Sequence, residues 1–191
     1  MIENETLKSI LARRSYKVFD PKPIGDEEIE TIVQAGLYAP TGMNQQPWHF
    51  TVIKSAQMMR QIGEAMEKMP KPAPPKGVGG PPPGGPGGPP PAGPATRNAP
   101  VLILISAKET MTSAIDCHLA MENMSIAAAS MGIMSGWDFA MVKDFFAGDN
   151  NAELKKELIP EGNTVYSAAF FGYPGPDVKD RGERKGTVAY F

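Results

Sequence analysis

The sequence predicts an α+β domain. Three observations predict this class: helical and strand-like segments alternate, one strand-like segment is apolar throughout, and one long helix is apolar on more than one face. The chain has 191 residues with 41% hydrophobic content, which suffices for one domain with a real core. We therefore expect a single domain over residues 1–191.

The first part of the chain predicts two helices, a strand and a third helix. Helical periodicity covers Glu5 to Arg14 and Asp26 to Ala39, and the acidic start of the second segment suits the positive end of a helix. The sequence HFTVIK, from His49 to Lys54, alternates as a strand does. Ala56 to Met69 then returns to a helical pattern.

The second part predicts a buried strand, a long helix, a short helix and a last strand. VLILIS, from Val101 to Ser106, is apolar enough for a central strand covered on both faces. Thr112 to Met131 is rich in Ala, Ser and Met on several faces, so we expect a helix that is packed on several sides. A position in a subunit interface is one way to cover those faces. Asn151 to Leu158 favours a helix and Thr164 to Tyr173 a strand.

A low-complexity tract interrupts this pattern between the third helix and the buried strand. Pro70 to Pro94 contains 12 Pro and 8 Gly in 25 residues, a composition that forms neither helix nor sheet. We expect a mobile or polyproline-like loop that interrupts the domain without dividing it. An alternative function follows from the same tract: an interaction module that offers segments such as PKPAPPK to an aromatic-lined groove.

Charge and composition exclude several partners. The formal net charge of -2 gives no basic field for nucleic acid or anionic membranes. No stretch approaches the roughly 20 apolar residues of a membrane span, and the first residues lack a long apolar segment. The single cysteine, Cys117, cannot form a disulfide within the chain. We expect a cytoplasmic protein without nucleic-acid or membrane partners.

The first candidate site is a cationic cluster at the end of the first helix. Arg13, Arg14, Ser15 and Lys17 place three cations and a hydroxyl within five residues. Guanidinium groups bind phosphate oxygens in pairs, and Ser and Lys add a neutral donor and a point charge. The alternative is that these cations only cap the negative end of the helix.

The second candidate site is the loop APTGMNQQPWHF between a helix and a strand. Pro40, Gly42 and Pro47 force a non-helical turn, and loops at such positions often carry function. Thr41 and Asn44 offer hydroxyl and amide groups that can bind the polar edge of a heterocycle. The alternative is an ordinary capping loop.

These two motifs resemble the opening of the nitroreductase family, whose members are enzymes dependent on flavin mononucleotide (FMN). The resemblance rests on RRSYKVFDPKPI followed by a helix and APTGMNQQPWHFTVI. It continues through Ala99-Pro100 with VLILIS, the helix from Asp116 to Gly132, the turn MGIMSGWDF, and FFGYP before a basic tail. It implies a three-layer sandwich in which helices flank a mixed central β-sheet.

The resemblance gives the first cluster a role in binding FMN. Arg13, Arg14 and Ser15 match residues that hold the phosphate and ribityl chain, and Lys17 matches a cation near the N1/O2 edge of the flavin ring. A cation at that edge stabilises the negative charge that arrives when flavin accepts a hydride.

The resemblance also implies a homodimer. Pro40, Thr41, Gly42, Met43 and Asn44 match a family loop that reaches the flavin from the partner subunit. Family members usually have a small hydroxyl residue at the position of Gly42, so this chain departs from the pattern there.

Two further parts of the cofactor site follow from the resemblance. Backbone N–H groups near Asp138 and Phe139 match a turn that faces flavin N5. Lys179 and Arg181 match a basic pair that closes over the phosphate, and residues 184–185, Arg and Lys, are the alternative pair.

The implied activity is electron transfer from NAD(P)H through FMN to nitroaromatics, quinones or similar small acceptors, in ping-pong fashion. The alternatives within the family are dehalogenation, dehydrogenation and flavin breakdown. We expect no catalytic side chain, because the cofactor carries the chemistry. His49 and His118 have no partner at metal spacing, so we expect no metal site, and Cys117 is expected to be an inert buried thiol.

Overall fold

The computed structural model describes residues 2–69, 95–138, 141–147, 151–175 and 184–191. The Pro/Gly tract from residue 70 to residue 94 lies outside the described residues, and so do the predictions that concern it.

The described residues form five α-helices and five β-strands. The helices are α1 (Glu5–Ala12), α2 (Asp26–Leu37), α3 (Ala56–Glu67), α4 (Ser113–Ser130) and α5 (Ala152–Leu158). The strands are β1 (Phe19–Asp20), β2 (Trp48–Ile53), β3 (Val101–Ala107), β4 (Met134–Trp137) and β5 (Thr164–Pro174). Each helix and strand predicted from the sequence is present, with ends within two residues of the predicted ones. The two shortest strands, β1 and β4, were not predicted.

Local chemistry fixes where the N-terminal helices begin and end. The Asn4 side chain accepts a hydrogen bond from the Leu7 N–H at 2.8 Å and caps α1, and Ser55 caps α3 in the same way. Helix α1 ends because Arg13 has an extended backbone, with φ -52° and ψ 131°. The predicted extension of this helix to Arg14 was therefore wrong by two residues.

Strand β5 is the centre of the sheet. It pairs with β3, which in turn pairs with β2, and it also pairs with β4 and β1 over successive parts of its length. All four ladders between the described strands are antiparallel. An isolated bridge between Ser15 and Ser135 is parallel and connects the residues after α1 to β4.

The side chains of β3 divide the core into two parts. Leu102 and Leu104 point into a cluster that includes Ile62 of α3 and Leu158 of α5. Ile103 and its neighbours at alternate positions point to the opposite face, where α2 and α4 pack. Each fully buried Leu or Ile contributes roughly 1.5–3 kcal/mol relative to an exposed one. The sheet is thus covered on both faces, which confirms the α+β class and the three layers.

Helix α4 packs on several sides, as its composition predicts. Cys117, Ala120 and Met124 are fully buried, and the helix contacts α1, α2 and the sheet. Burial and the neighbouring Asp116 carboxylate raise the pKa of the Cys117 thiol to about 12, so the thiol stays protonated. Within the described part of the chain, no helix is both long enough and apolar enough to cross a membrane.

Candidate functional site

The cationic cluster lies where α1 gives way to extended chain. Arg13 and Arg14 are half-buried, whereas Ser15 and Lys17 are exposed. The Arg13 Nε atom lies 3.0 Å from Oε1 of Glu122 on α4, so one carboxylate already balances one of the three cations.

The cluster retains donors that can bind an anion. Among the described residues, the side chains of Arg14, Ser15 and Lys17 have no hydrogen-bond or ion-pair partner. Arg13 caps α1 through its backbone N–H, which donates to the Ser9 carbonyl at 2.9 Å, and not through its guanidinium. The geometry therefore favours an anion site over simple helix capping.

The chain that follows the cluster runs beside β4. The Tyr16 N–H donates to the Ser135 carbonyl at 2.9 Å, next to the bridge between Ser15 and Ser135. Tyr16 itself is buried, which fixes its neighbours Ser15 and Lys17 at the surface. Two predicted parts of the site, about 120 residues apart in sequence, are thereby brought together.

Arg97 is a component of this region that the sequence did not predict. Its guanidinium contacts Asp138 Oδ2 at 2.7 Å and donates to the carbonyls of Tyr16 and Gly136, each at 3.3 Å. Burial lowers the pKa of Arg97, and the Asp138 carboxylate opposes that shift. Gly136 makes the approach feasible, because a Cβ at this position would lie 2.7 Å from Arg97 Nη1.

Asp138 contributes its carboxylate to this arrangement. Its Oδ1 accepts a hydrogen bond from the Met141 N–H at 3.1 Å, while Oδ2 meets Arg97. The Asp138 N–H donates to the Ala168 carbonyl at 2.9 Å and is used within the sheet. Phe139 lies outside the described residues, and the assignment of N–H groups near Asp138 and Phe139 to flavin N5 stays a prediction.

The loop from Pro40 to Asn44 is anchored to the start of α4. Asp116 is 2% exposed, and its Oδ1 accepts a hydrogen bond from the Gly42 N–H at 3.1 Å. Met43 and Asn44 both have φ of 53°, in the left-handed region that non-glycine residues rarely adopt. Strained backbone of this kind is concentrated at functional sites, which supports a binding role for the loop.

The loop contacts the start of α4, and the cationic cluster contacts the same helix near its middle. The Thr112 hydroxyl donates to Asp116 Oδ2 at 2.9 Å beside the loop, and Glu122 holds Arg13. Thr112 and Glu122 are ten positions apart in sequence, which corresponds to a helical rise of about 15 Å. Between them, the His118 ring meets the Trp137 ring with centroids 5.7 Å apart.

Comparison with known proteins identifies the family. Residues 10–154 match the model of the Nitroreductase family, which is more than half of the chain. This protein belongs to the nitroreductase family. Over 187 residues it is 30% identical to a protein of Archaeoglobus fulgidus provisionally named NADH dehydrogenase/NAD(P)H nitroreductase, covering 92% of this chain and 88% of that protein.

One solved structure agrees with this assignment, and one further relative matches over a short stretch. The structure of a nitroreductase with bound FMN from Bacteroides fragilis matches with a TM-score of 0.77 and 28% identity, covering 99% of this chain and 100% of that one. A stretch of 56 residues is 39% identical to iodotyrosine deiodinase of Haliscomenobacter hydrossis, covering 29% of this chain and 25% of that protein.

The remaining predicted residues of this nitroreductase lie in or near its tail. Lys179 and Arg181 are outside the described residues. Arg184 and Lys185 are exposed and begin the last described segment. Among the described residues no group of three or more His, Cys, Asp or Glu side chains has the arrangement of a metal site.

Sequence reasoning missed Asp116 and Thr112, which connect the loop to the start of α4. The available signal was an Asp in the first turn of a helix rich in Ala, Ser and Met, because a carboxylate that becomes buried in such a helix requires a partner. For Arg97 the local sequence offered no comparable signal, because its partners lie 41 and 81 residues away.

Proposed function

We propose that this protein is an FMN-dependent oxidoreductase that takes electrons from NAD(P)H and reduces small acceptors such as nitroaromatics or quinones. The observation that carries the proposal is the set of unengaged donors on Arg14, Ser15 and Lys17, placed next to β4. The FMN bound by the Bacteroides fragilis nitroreductase and the name of the Archaeoglobus fulgidus relative support it.

The residues present fit an FMN phosphate. A phosphate dianion needs several donors, and Arg13, Arg14 and Ser15 supply guanidinium and hydroxyl groups within three consecutive residues. Each charge-assisted hydrogen bond is worth roughly 1.5–3 kcal/mol. Lys179 and Arg181 are proposed to close over the same phosphate.

Lys17 is the residue proposed to tune the cofactor. It lies two positions after Ser15, and its exposed ammonium is available to the N1/O2 edge of the flavin ring. When bound, FMN supplies hydride acceptance and electron transfer, while the chain provides binding, charge and exclusion of water. NAD(P)H and the acceptor are proposed to bind in turn at the same place beside the flavin. Because they cannot bind there together, we expect ping-pong kinetics.

We further propose a homodimer formed through the outer face of α4. Met111, two residues before α4, is 97% exposed. Ile115 and Leu119 lie four residues apart on the helix and are 60% and 42% exposed. Such spacing places them on one helix face, and contiguous exposed apolar surface marks interaction sites. The occupant that fits best is a second copy of this chain.

A two-fold axis explains why the second copy fits. A two-fold axis perpendicular to α4, midway between Thr112 and Glu122, exchanges these two positions between the subunits. The loop of one copy, including Met43 and Asn44, then lies at the Arg13 end of the other. This arrangement supports the proposal that Pro40, Thr41 and Gly42 also belong to a flavin site completed by two subunits. A cytoplasmic location fits the free thiol of this chain.

Steady-state kinetics test the proposed reaction. Initial rates are measured at several fixed concentrations of a quinone while NADPH, or NADH, is varied. A ping-pong reaction gives parallel double-reciprocal lines for the preferred nicotinamide. Intersecting lines would show that the nicotinamide and the quinone bind at the same time, which would contradict the ping-pong proposal. No turnover with either nicotinamide would contradict the proposed electron donor.

Reductive dehalogenation is the second candidate, favoured by the local match to iodotyrosine deiodinase. Protein reduced anaerobically with dithionite is mixed with a quinone, a nitroaromatic or an iodophenol in separate experiments. Rapid return of the oxidised flavin spectrum with the quinone or nitroaromatic, and no iodide release, supports the reductase. Stoichiometric iodide release supports the alternative.

A further inference from the structure

We propose that Arg97 is a positioning residue that fixes the chain after the cationic cluster against the turn that follows β4. The inference rests on the proposed FMN function, because it assigns Arg97 to the geometry of that cofactor site. It concerns a side chain between the two halves of the site and outside both predicted motifs.

The contacts of Arg97 join two distant segments. One guanidinium nitrogen donates to the carbonyls of Tyr16 and Gly136, and the other meets the Asp138 carboxylate at 2.7 Å. Tyr16 follows Ser15 directly, whereas Gly136 and Asp138 frame the end of β4. A single planar group thus sets the spacing between residues 15–17 and the turn.

The backbone of Arg97 is held as firmly as its side chain. The Arg97 carbonyl accepts a hydrogen bond from the Phe19 N–H at 2.9 Å, and its φ of 58° lies in the left-handed region. Asn98 shares that φ value, so two consecutive non-glycine residues are strained. Strain of this kind persists only where surrounding contacts determine the conformation.

Because both side chains are largely buried, the charges of Arg97 and Asp138 each need the other as a partner. Their side chains are 20% and 10% exposed, and the guanidinium carbon lies 5.4 Å from the centre of the Phe170 ring. Removing either charge leaves the other with poor access to water, which is costly. Lys can replace Arg only in part here, because its ammonium keeps the charge but lacks the planar fork that reaches three acceptors in different directions.

Arg97 acts through its neighbours and does not itself bind phosphate. Its guanidinium already makes three hydrogen bonds to protein oxygens and is therefore directed into the protein. Loosening them frees the Tyr16 carbonyl and the Asp138 carboxylate at once. The phosphate-binding residues and the turn then lose their fixed relation, and a rigid cofactor that spans both binds less tightly.

The experiment compares Arg97→Gln, Arg97→Lys and Asp138→Asn with the full-length protein. Lys54→Gln serves as the matched control, because the exposed Lys54–Asp26 ion pair has a similar length of 2.6 Å but lies away from the site. Two quantities are measured: amide hydrogen exchange of the FMN-free protein, and FMN affinity by fluorescence titration.

The proposal predicts a joint effect. In Arg97→Gln, exchange at Tyr16 and at Asp138 should accelerate together, by about 10-fold or more, while amides of β3 keep their protection. The Kd for FMN should rise by about 10-fold or more, with Arg97→Lys intermediate and Lys54→Gln unchanged. Asp138→Asn keeps the shape of the side chain but removes its charge, so it should reproduce the Arg97→Gln pattern. It provides the same test if Arg97→Gln does not fold.

Two outcomes would overturn the assignment. Unchanged exchange at Tyr16 and Asp138 would show that Arg97 does not hold the two segments together. Accelerated exchange with unchanged FMN affinity would show a purely structural role. A wild-type protein that binds no FMN would instead refute the proposed function, while the exchange result would still report on the Arg97 contacts.

Discussion

The side chain of Thr112 occupies the space that a side chain at Gly42 would need. A Cβ built on Gly42 would lie 2.7 Å from Thr112 Oγ1 and 2.8 Å from Cγ2, closer than real Cβ atoms approach. The same hydroxyl donates to Asp116, whose other oxygen holds the Gly42 N–H. The loop and the start of α4 therefore fit each other only with glycine at position 42 and Thr112 as placed.

Replacing Gly42 with Ala should destabilise the protein by about 1–3 kcal/mol, because the new methyl group displaces Thr112. The double variant Gly42→Ala/Thr112→Ala should be less destabilised than the sum of the single variants. Urea unfolding of the four proteins gives the coupling energy directly. Additive effects would contradict the steric relationship between the two residues.

Replacing Asp116 with Ala should loosen the loop, because it removes the acceptor of both the Gly42 N–H and the Thr112 hydroxyl. We expect a loss of about 1–3 kcal/mol in unfolding free energy and faster amide exchange at Gly42. Glu109→Ala is the control, since that exposed carboxylate precedes α4 by four residues without contacting the loop. Protection at Gly42 that equals that of the control would show that Asp116 does not anchor the loop.

Replacing Arg13 with Ala should weaken FMN binding by about 1.5–3 kcal/mol if the guanidinium makes a charge-assisted bond to the phosphate. Arg60→Ala, on the exposed side of α3, removes the same charge at a distance from the cluster. A flavin titration should separate the two variants clearly. Equal affinities would exclude Arg13 from the phosphate site.

The Cys117 thiol predicts a pH dependence of stability. Its ordinary pKa is 9.0, and burial raises the pKa to about 12 in the folded protein. Between these values the unfolded chain releases a proton that the folded protein retains, so stability present below pH 9 is lost as the pH rises toward 12.

The comparison with Cys117→Ala isolates this effect, because other titrating groups are common to both proteins. The wild type should lose more unfolding free energy than Cys117→Ala between about pH 8 and pH 10. Urea unfolding at both pH values provides the measurement. Parallel losses in the two proteins would mean that the thiol titrates normally in the folded state.

The α4 surface predicts that Ile115→Glu converts a dimer to a monomer, because a charge would be buried in the interface. Analytical ultracentrifugation gives the mass in solution. Gln57→Glu adds the same charge on α3, across the sheet, and should leave the mass unchanged. A wild-type protein that is monomeric at micromolar concentration would refute the homodimer.

Sequence periodicity sufficed for the main elements because their burial is regular. Each strand predicted from alternation or continuous apolarity is present, and the buried faces of α2 and α4 follow the helical period. Strand β4 escaped prediction because MSGW has neither pattern, and two-residue β1 owes its pairing to β5. Local sequence carries no record of pairing that is imposed by tertiary structure.

The candidate site also contains residues that the sequence predicts and residues that it does not. The cluster from Arg13 to Lys17 and the loop from Pro40 to Asn44 were predictable, because consecutive residues carry their chemistry. The side chains of Arg97 and Asp116 were not, because each meets its partners only after the chain has folded. The sequence therefore predicts the groups proposed to bind the cofactor, and the structure adds the side chains that hold those segments in place.

The most direct test of the central claim is an absorption spectrum of the purified protein after loading with FMN, repeated under anaerobic conditions after addition of NADPH or NADH. The account predicts visible flavin bands that bleach with at least one of the two nicotinamides and return when a quinone is added. A protein that takes up no FMN, or whose bound flavin remains oxidised with both nicotinamides, would contradict it.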